Sequence, residues 1–147
     1  MNRRDLMAGL SAAALPGCGG ADDPYFTFVG GGFIFNYRIA DHYYGFVVRR
    51  QKPPPPGARL EARFELPGGG EEVQTAEIDP SRLDYMFRTP PLRGIVKGHA
   101  YRARLRVLDQ AGAELAHYDK TFTTAVDQST LPDQPLVVGP GYQTAPQ

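Results

Sequence analysis

From residue 25 to about residue 126, apolar and polar positions alternate with a period of two, the signature of strands that bury one face. Phe33, Phe35, Tyr37 and Ile39 fall on one side of such a strand, with Ile34, Asn36 and Arg38 on the other. Leu60, Ala62, Phe64 and Leu66 alternate with Arg59, Glu61, Arg63 and Glu65. The cleanest run sets Tyr101, Ala103, Leu105 and Val107 against Arg102, Arg104 and Arg106. These arginines read as the solvated face of a sheet. Apart from the first residues, no stretch keeps helical periodicity beyond a single turn. Asp79-Pro80-Ser81-Arg82 could open one brief helical turn, because Asp caps and Pro tolerates the first position.

Seventeen glycines and fourteen prolines divide these runs. Pro67-Gly68-Gly69-Gly70 separates the Leu60 strand from a partner at Val73 to Ile78, which predicts a hairpin. Asp109 to Gly112 separates the Tyr101 strand from Glu114 to Thr124 and predicts a second. Asp84 to Arg88 is a shorter strand before Pro90-Pro91. Gly30-Gly31-Gly32 reads as a bulge or turn between two aromatic strands, since no helix or lysine follows to make a phosphate loop. Pro53 to Pro56 reads as a stiff polyproline II crossover between Arg50 and Arg59. Strands this short, with turns this frequent, predict an all-β chain folded as one antiparallel β-sandwich.

A local motif narrows the architecture. Ile95-Val96-Lys97-Gly98-His99-Ala100-Tyr101, followed by alternating apolar residues and a turn, resembles the corner and hairpin of fibronectin type III and related immunoglobulin-like domains. That resemblance covers about twenty residues. It implies that Gly98 and Tyr101 form a structural corner, with the Tyr101 hydroxyl donating to backbone near Ile95 or Val96. The family's Pro and Thr are replaced by Lys97 and His99, and the chain has no tryptophan for the usual core position.

The first residues carry a different message. Arg3 and Arg4 precede an apolar and small-residue run from Leu6 to Leu15, which ends at Leu15-Pro16-Gly17-Cys18 with the only cysteine. A bilayer-spanning helix needs roughly twenty apolar residues, so this run reads as a signal segment and not a permanent anchor. The site resembles a bacterial lipobox, with Pro16 in place of the usual small residue. Asn2 to Met7 resembles a twin-arginine signal, and export by that route or the general one remains open. The resemblance implies cleavage before Cys18 and acylation of its thiol, which would leave no thiol for a disulfide. Gly19 after Cys18 implies the outer membrane, by resemblance to enterobacterial sorting. The expected organisation is a signal over 1–17, a linker over 18–24, the sandwich over 25–126 and a Pro- and Gly-rich tail over 127–147. Leu131, Leu136, Val137, Val138 and Tyr142 predict that this tail packs back on the domain.

Charge and chemistry add little. Sixteen basic residues balance sixteen acidic ones, which argues against nucleic acid as a partner. No metalloprotease helix, nucleophile elbow, phosphate loop or zinc-binding cysteine pair occurs. His42, His99 and His117 are scattered, and Asp41-His42 has no activated nucleophile beside it, so neither a metal, a cofactor nor catalysis is expected. Tyr43 and Tyr44 must face opposite ways on a strand. One belongs to the core, and with Tyr25, Phe26, Phe28 and Phe46 nearby the pair could offer a ligand platform for a glycan. The whole sequence resembles the small lipoproteins of Gram-negative bacteria, a likeness that implies no activity. The expected role is therefore a non-catalytic structural or protein-binding module, anchored in the envelope through its lipid and facing the periplasm. A glycan-binding module is the alternative.

Overall fold

The computed structural model describes residues 23–141 and 143–145; the expected signal segment, the expected acylation site Cys18 and Tyr142 lie outside them. The fold is all-β. Seven strands make two antiparallel sheets: β1 (Phe26–Asn36), β2 (Asp41–Arg50) and β5 (Asp84–Arg88) in the order β1-β2-β5, and β3 (Arg59–Glu65), β4 (Glu71–Glu77), β6 (Tyr101–Leu108) and β7 (Glu114–Phe122) in the order β4-β3-β6-β7. The sheets pack face to face as a single β-sandwich. The fourth strand pairs with the third, not with β5, so the sheets hold three and four strands where a constant-type immunoglobulin domain holds four and three. One 3-10 turn (Gln128–Thr130) and a two-stranded ribbon, β8 (Val137–Val138) with β9 (Gln143–Thr144), complete the described chain. No helix among the described residues is long and apolar enough to cross a membrane.

Period-two patterning decides what faces inward. Tyr44, Phe46 and Val48 of β2 and Tyr85 and Phe87 of β5 meet Leu60, Ala62, Phe64, Ala103, Leu105 and Val107 of the other sheet, all buried. The missing tryptophan is replaced by an aromatic cluster. Tyr44 lies edge-on to Phe64 with ring centroids 5.4 Å apart and stacks on Phe33 at 4.9 Å. Such pairs add to the stabilisation from burial alone.

The two expected hairpins form, β3 with β4 and β6 with β7. In the second, Gly112 takes φ 88° and the Asp109 carboxylate accepts from the Ala113 N–H at 2.8 Å. The 53–56 proline segment links β2 to β3 and so carries the chain from one sheet to the other.

Four expectations need correction. The first strand ends at Asn36, so Tyr37 and Ile39 stand exposed in the turn to β2 instead of continuing its buried face. The three glycines do follow a bulge, where the register slips between Phe28 and Gly30, but they lie inside one strand and not between two. Asp79 to Arg82 is a turn closed by the Asp79 carboxylate on the Ser81 N–H at 2.8 Å, and no helix follows. At the corner the Tyr101 hydroxyl accepts from the Val96 N–H at 2.8 Å and does not donate there. A backbone amide has no other role to play, so the phenol oxygen supplies the acceptor. Gly98, at φ 79°, turns the chain and donates its N–H to the Thr124 carbonyl at 2.9 Å.

The tail returns to the sandwich chiefly through polar contacts. Gln128 is buried, and its amide accepts from the Ile95 N–H and donates to the Leu92 carbonyl, each at 2.8 Å. Further on, the Leu136 and Val137 N–H groups donate to the Arg38 carbonyl in the β1–β2 turn. Leu136 and Val138 themselves stay exposed.

Candidate functional site: the outer face of the three-stranded sheet

On β2 the even-numbered side chains from His42 to Val48 point into the core, which sends Tyr43, Gly45, Val47 and Arg49 outward. Beside them the outer face carries Gly32 and Ile34 of β1 and Met86 and Arg88 of β5. Glycine is required in this neighbourhood. A Cβ on Gly31 would sit 2.7 Å from the Gly45 carbonyl and 2.8 Å from the Phe122 ring, and one on Gly45 would collide with the Phe87 carbonyl. Where these side chains are missing the face carries a shallow groove of about 420 Å³.

The walls of that groove are apolar. Met86 is 68% exposed, with half-buried Val47 opposite it on β2, and Ile34, 49% exposed, stands beyond Gly32 and Gly45. Val29, at the bulge, is also exposed. Tyr43 borders the groove, but the Arg88 guanidinium stands 4.6 Å from its ring centroid and covers one of its faces. Arg49 is held in a fork by Asp84 at 2.7 and 2.8 Å. An apolar face of this kind can exclude water against an apolar partner surface; it brings no nucleophile and base together.

Tyr44 cannot serve as a ligand platform. It is wholly buried, and its hydroxyl donates to the Glu65 carbonyl at 2.6 Å. Burial pushes its phenol well above the ordinary value, with the Glu65 charge adding to the effect. The ring therefore pins the two sheets together.

The outer face of the four-stranded sheet is different. Arg104 forks to Asp119 at 2.6 and 3.1 Å, and Arg106 reaches Glu61 and Glu114 at 2.6 Å each. Burial works against the Glu61 carboxylate, yet the hydrogen bonds from Arg63 and Arg106 hold it below its ordinary range. His99 lies 2.7 Å from Glu65, and His117 lies 2.6 Å from Glu114. The arginine–carboxylate pairs neutralise one another across this face.

The three histidines do not converge. His42 is inside the first sheet, fully buried beside Phe35, and neither ring nitrogen has a hydrogen-bond partner among the described residues. Burial lowers its pKa, the Arg93 charge lowers it further, and Asp41 only partly opposes them. Among the described residues no group of His, Cys, Asp or Glu is placed to hold a metal ion. The groove escaped the sequence reading, although its signal was present: Gly31-Gly32 and Gly45 interrupt two aromatic strands that pair with each other. No family model, no curated protein and no solved structure matches this chain.

Proposed function

We propose that this chain is a non-catalytic protein-binding module of a Gram-negative cell envelope, exported on its N-terminal signal and anchored through acylated Cys18. It faces the periplasm from the outer membrane and takes an apolar segment of another envelope protein against its three-stranded sheet. The observation that carries this reading is the glycine-floored groove between Ile34, Val47 and Met86, because contiguous exposed apolar surface on a folded domain marks an interaction site. The lipobox-like sequence supports the anchor. The glycan reading loses its support, since one of its two tyrosines is in the core and the other is capped by Arg88.

A photo-crosslinking residue at position 86, introduced in cells, tests the partner. One dominant envelope adduct is expected, and Ile34→Lys and Val47→Lys should abolish it without changing the fold. Adducts scattered over many proteins, or one that survives both substitutions, would refute the groove as the binding surface. The anchor is tested separately: Cys18→Ser should move the protein from the membrane to the soluble fraction, and unchanged partition would refute acylation.

A further inference from the structure

Four strands form the edges of the two sandwich sheets, and three of these edges are guarded. On β5 the Asp84 and Arg88 carbonyls accept hydrogen bonds from the Arg82 and Gln74 side chains. On β4 stand Glu71, Glu72 and Glu77, and on β7 Glu114, Asp119 and Lys120. Charged side chains and capped carbonyls are the usual means of keeping another strand from pairing with a sheet edge. β1, with the sequence Phe-Thr-Phe-Val-Gly-Gly-Gly-Phe-Ile-Phe-Asn, has no charge and no proline.

The ladder shows which of its backbone groups are unspent. The Tyr44 carbonyl accepts from Thr89 and the Arg50 N–H donates to Leu83, so even-numbered residues of β2 bond toward β5 and odd-numbered ones toward β1. Tyr43 pairs with Ile34 and Gly45 with Gly32. Ile34 and Gly32 therefore turn their backbone groups to β2, while Gly31, Phe33 and Phe35 aim theirs off the edge. The first half of the strand is less open, because the bulge at Val29 breaks its register and the Lys120 ammonium stands 5.5 Å from the Phe28 ring centroid. Gly31 to Phe35 is the open half.

We propose that two copies of this chain join through that segment, β1 running antiparallel to its twin across a twofold axis at Phe33. The inference does not rest on the groove or on the lipid anchor. The sequence is complementary to itself about Phe33. Antiparallel pairing sets Phe33 against the partner's Phe33, Ile34 against the partner's Gly32, and Phe35 against the partner's Gly31. Each of Ile34 and Phe35 then meets a glycine. On the outer face Ile34 covers a strand position that has no side chain of its own. On the inner face Phe35 approaches the position where the Phe122 ring already lies beneath Gly31. Gly31, Phe33 and Phe35, whose N–H and C=O groups point outward, become the hydrogen-bonded pairs. A twofold axis brings like residues together, so a charge here would oppose its own copy; the segment carries none. The product is one continuous sheet in the order β5-β2-β1-β1-β2-β5.

Sedimentation velocity of the full chain over a dilution series from micromolar to submillimolar tests the pairing. A reversible monomer–dimer equilibrium is expected, with amide exchange at Gly31, Phe33 and Phe35 slowing as the dimer fills. Ile34→Lys, at an exposed outer-face position, should weaken the dimer by about tenfold or more through like-charge opposition. Met86→Lys, on the same face but two strands away, should leave it unchanged. A monomer at every concentration with edge amides that exchange independently of concentration would overturn the proposal, whether or not the Ile34→Lys variant folds. So would a dimer that Ile34→Lys leaves intact or that Met86→Lys disrupts equally.

Discussion

The outer faces of the two sheets share one core but have opposite chemistry. On the four-stranded sheet Arg63, Arg104 and Arg106 are matched by Glu61, Glu71, Glu114 and Asp119, so that face is polar and internally neutralised. The three-stranded sheet instead carries glycines among Ile34, Val47 and Met86. Both faces come from period-two strands whose buried inward residues, His42 apart, are apolar or aromatic. The difference lies in the outward residues: ion pairs satisfy one face in water, whereas the other keeps apolar surface exposed. If that division is right, stability should reside in the shared interior and in the glycine contacts, and very little in the ion pairs.

The largest effect is expected in the interior. Tyr44→Ala removes a ring packed against Phe33, Phe64 and Tyr101 and leaves the Glu65 carbonyl without its 2.6 Å donor. The loss should be about 3–5 kcal/mol, as for other large aromatic truncations, read from chemical denaturation. Next comes Gly45→Ala, which forces a methyl group onto the Phe87 carbonyl. A cost of about 1–3 kcal/mol is expected from overpacking, together with widened β2–β5 spacing. If Gly45→Ala cost nothing, the groove would be an incidental dip and the comparison between the faces would lose its structural basis.

Much of this was legible in the chain, and the gaps have physical causes. The alternation of Leu60 to Leu66 and Tyr101 to Val107 specified the inner faces because a one-residue slip would turn every side chain over. Gly112 and the 67–70 turn marked the hairpins. The fate of the 30–32 glycines was ambiguous, since glycine serves equally in turns and where backbones approach closely. Only the position of Gly45 across the ladder resolves it. Tyr43 and Tyr44 could be assigned opposite faces but not which face each took; the parity shared by Tyr44, Phe46 and Val48 settles that, and it also buries His42. The tail's return was inferred from its apolar residues, whereas the contacts that seat it come from the Gln128 amide, which no hydrophobic pattern reports.

His42 sharpens the comparison through pH. It lies on the inner side of the sheet whose outer side carries the groove, and its native pKa is depressed by burial, then by Arg93, against the opposing charge of Asp41. In the unfolded chain a histidine titrates near 6.5. Between the two values the unfolded state binds more protons, so stability should fall as pH drops below about 6.5 and level off once native His42 is itself protonated. His42→Phe should flatten that part of the profile. The His42 carbonyl accepts from Leu92, whose own carbonyl holds Gln128, so the amide-exchange protection factor at Ile95, corrected for the intrinsic rate, should fall over the same acid range. An identical acid profile in the Phe variant would remove His42 as its source.

The smallest effect belongs to the ion-paired face. Arg106 and Glu61 make its least exposed contact, at 2.6 Å, and Glu61 is also held by Arg63. A double-mutant cycle on the Arg106 and Glu61 pair should give a coupling of roughly 0.2–1 kcal/mol, because such pairs near water are screened and ordering two long side chains offsets much of the attraction. The coupling should shrink as salt is added. Its pH dependence has a defined sign: the native Glu61 carboxyl titrates below its ordinary range, so the contribution is present in neutral solution and disappears as pH falls through the native value. A coupling several times larger that resists salt would mean that the arginine ladder holds its sheet together. The two faces would then differ in what stabilises them as well as in what they can bind.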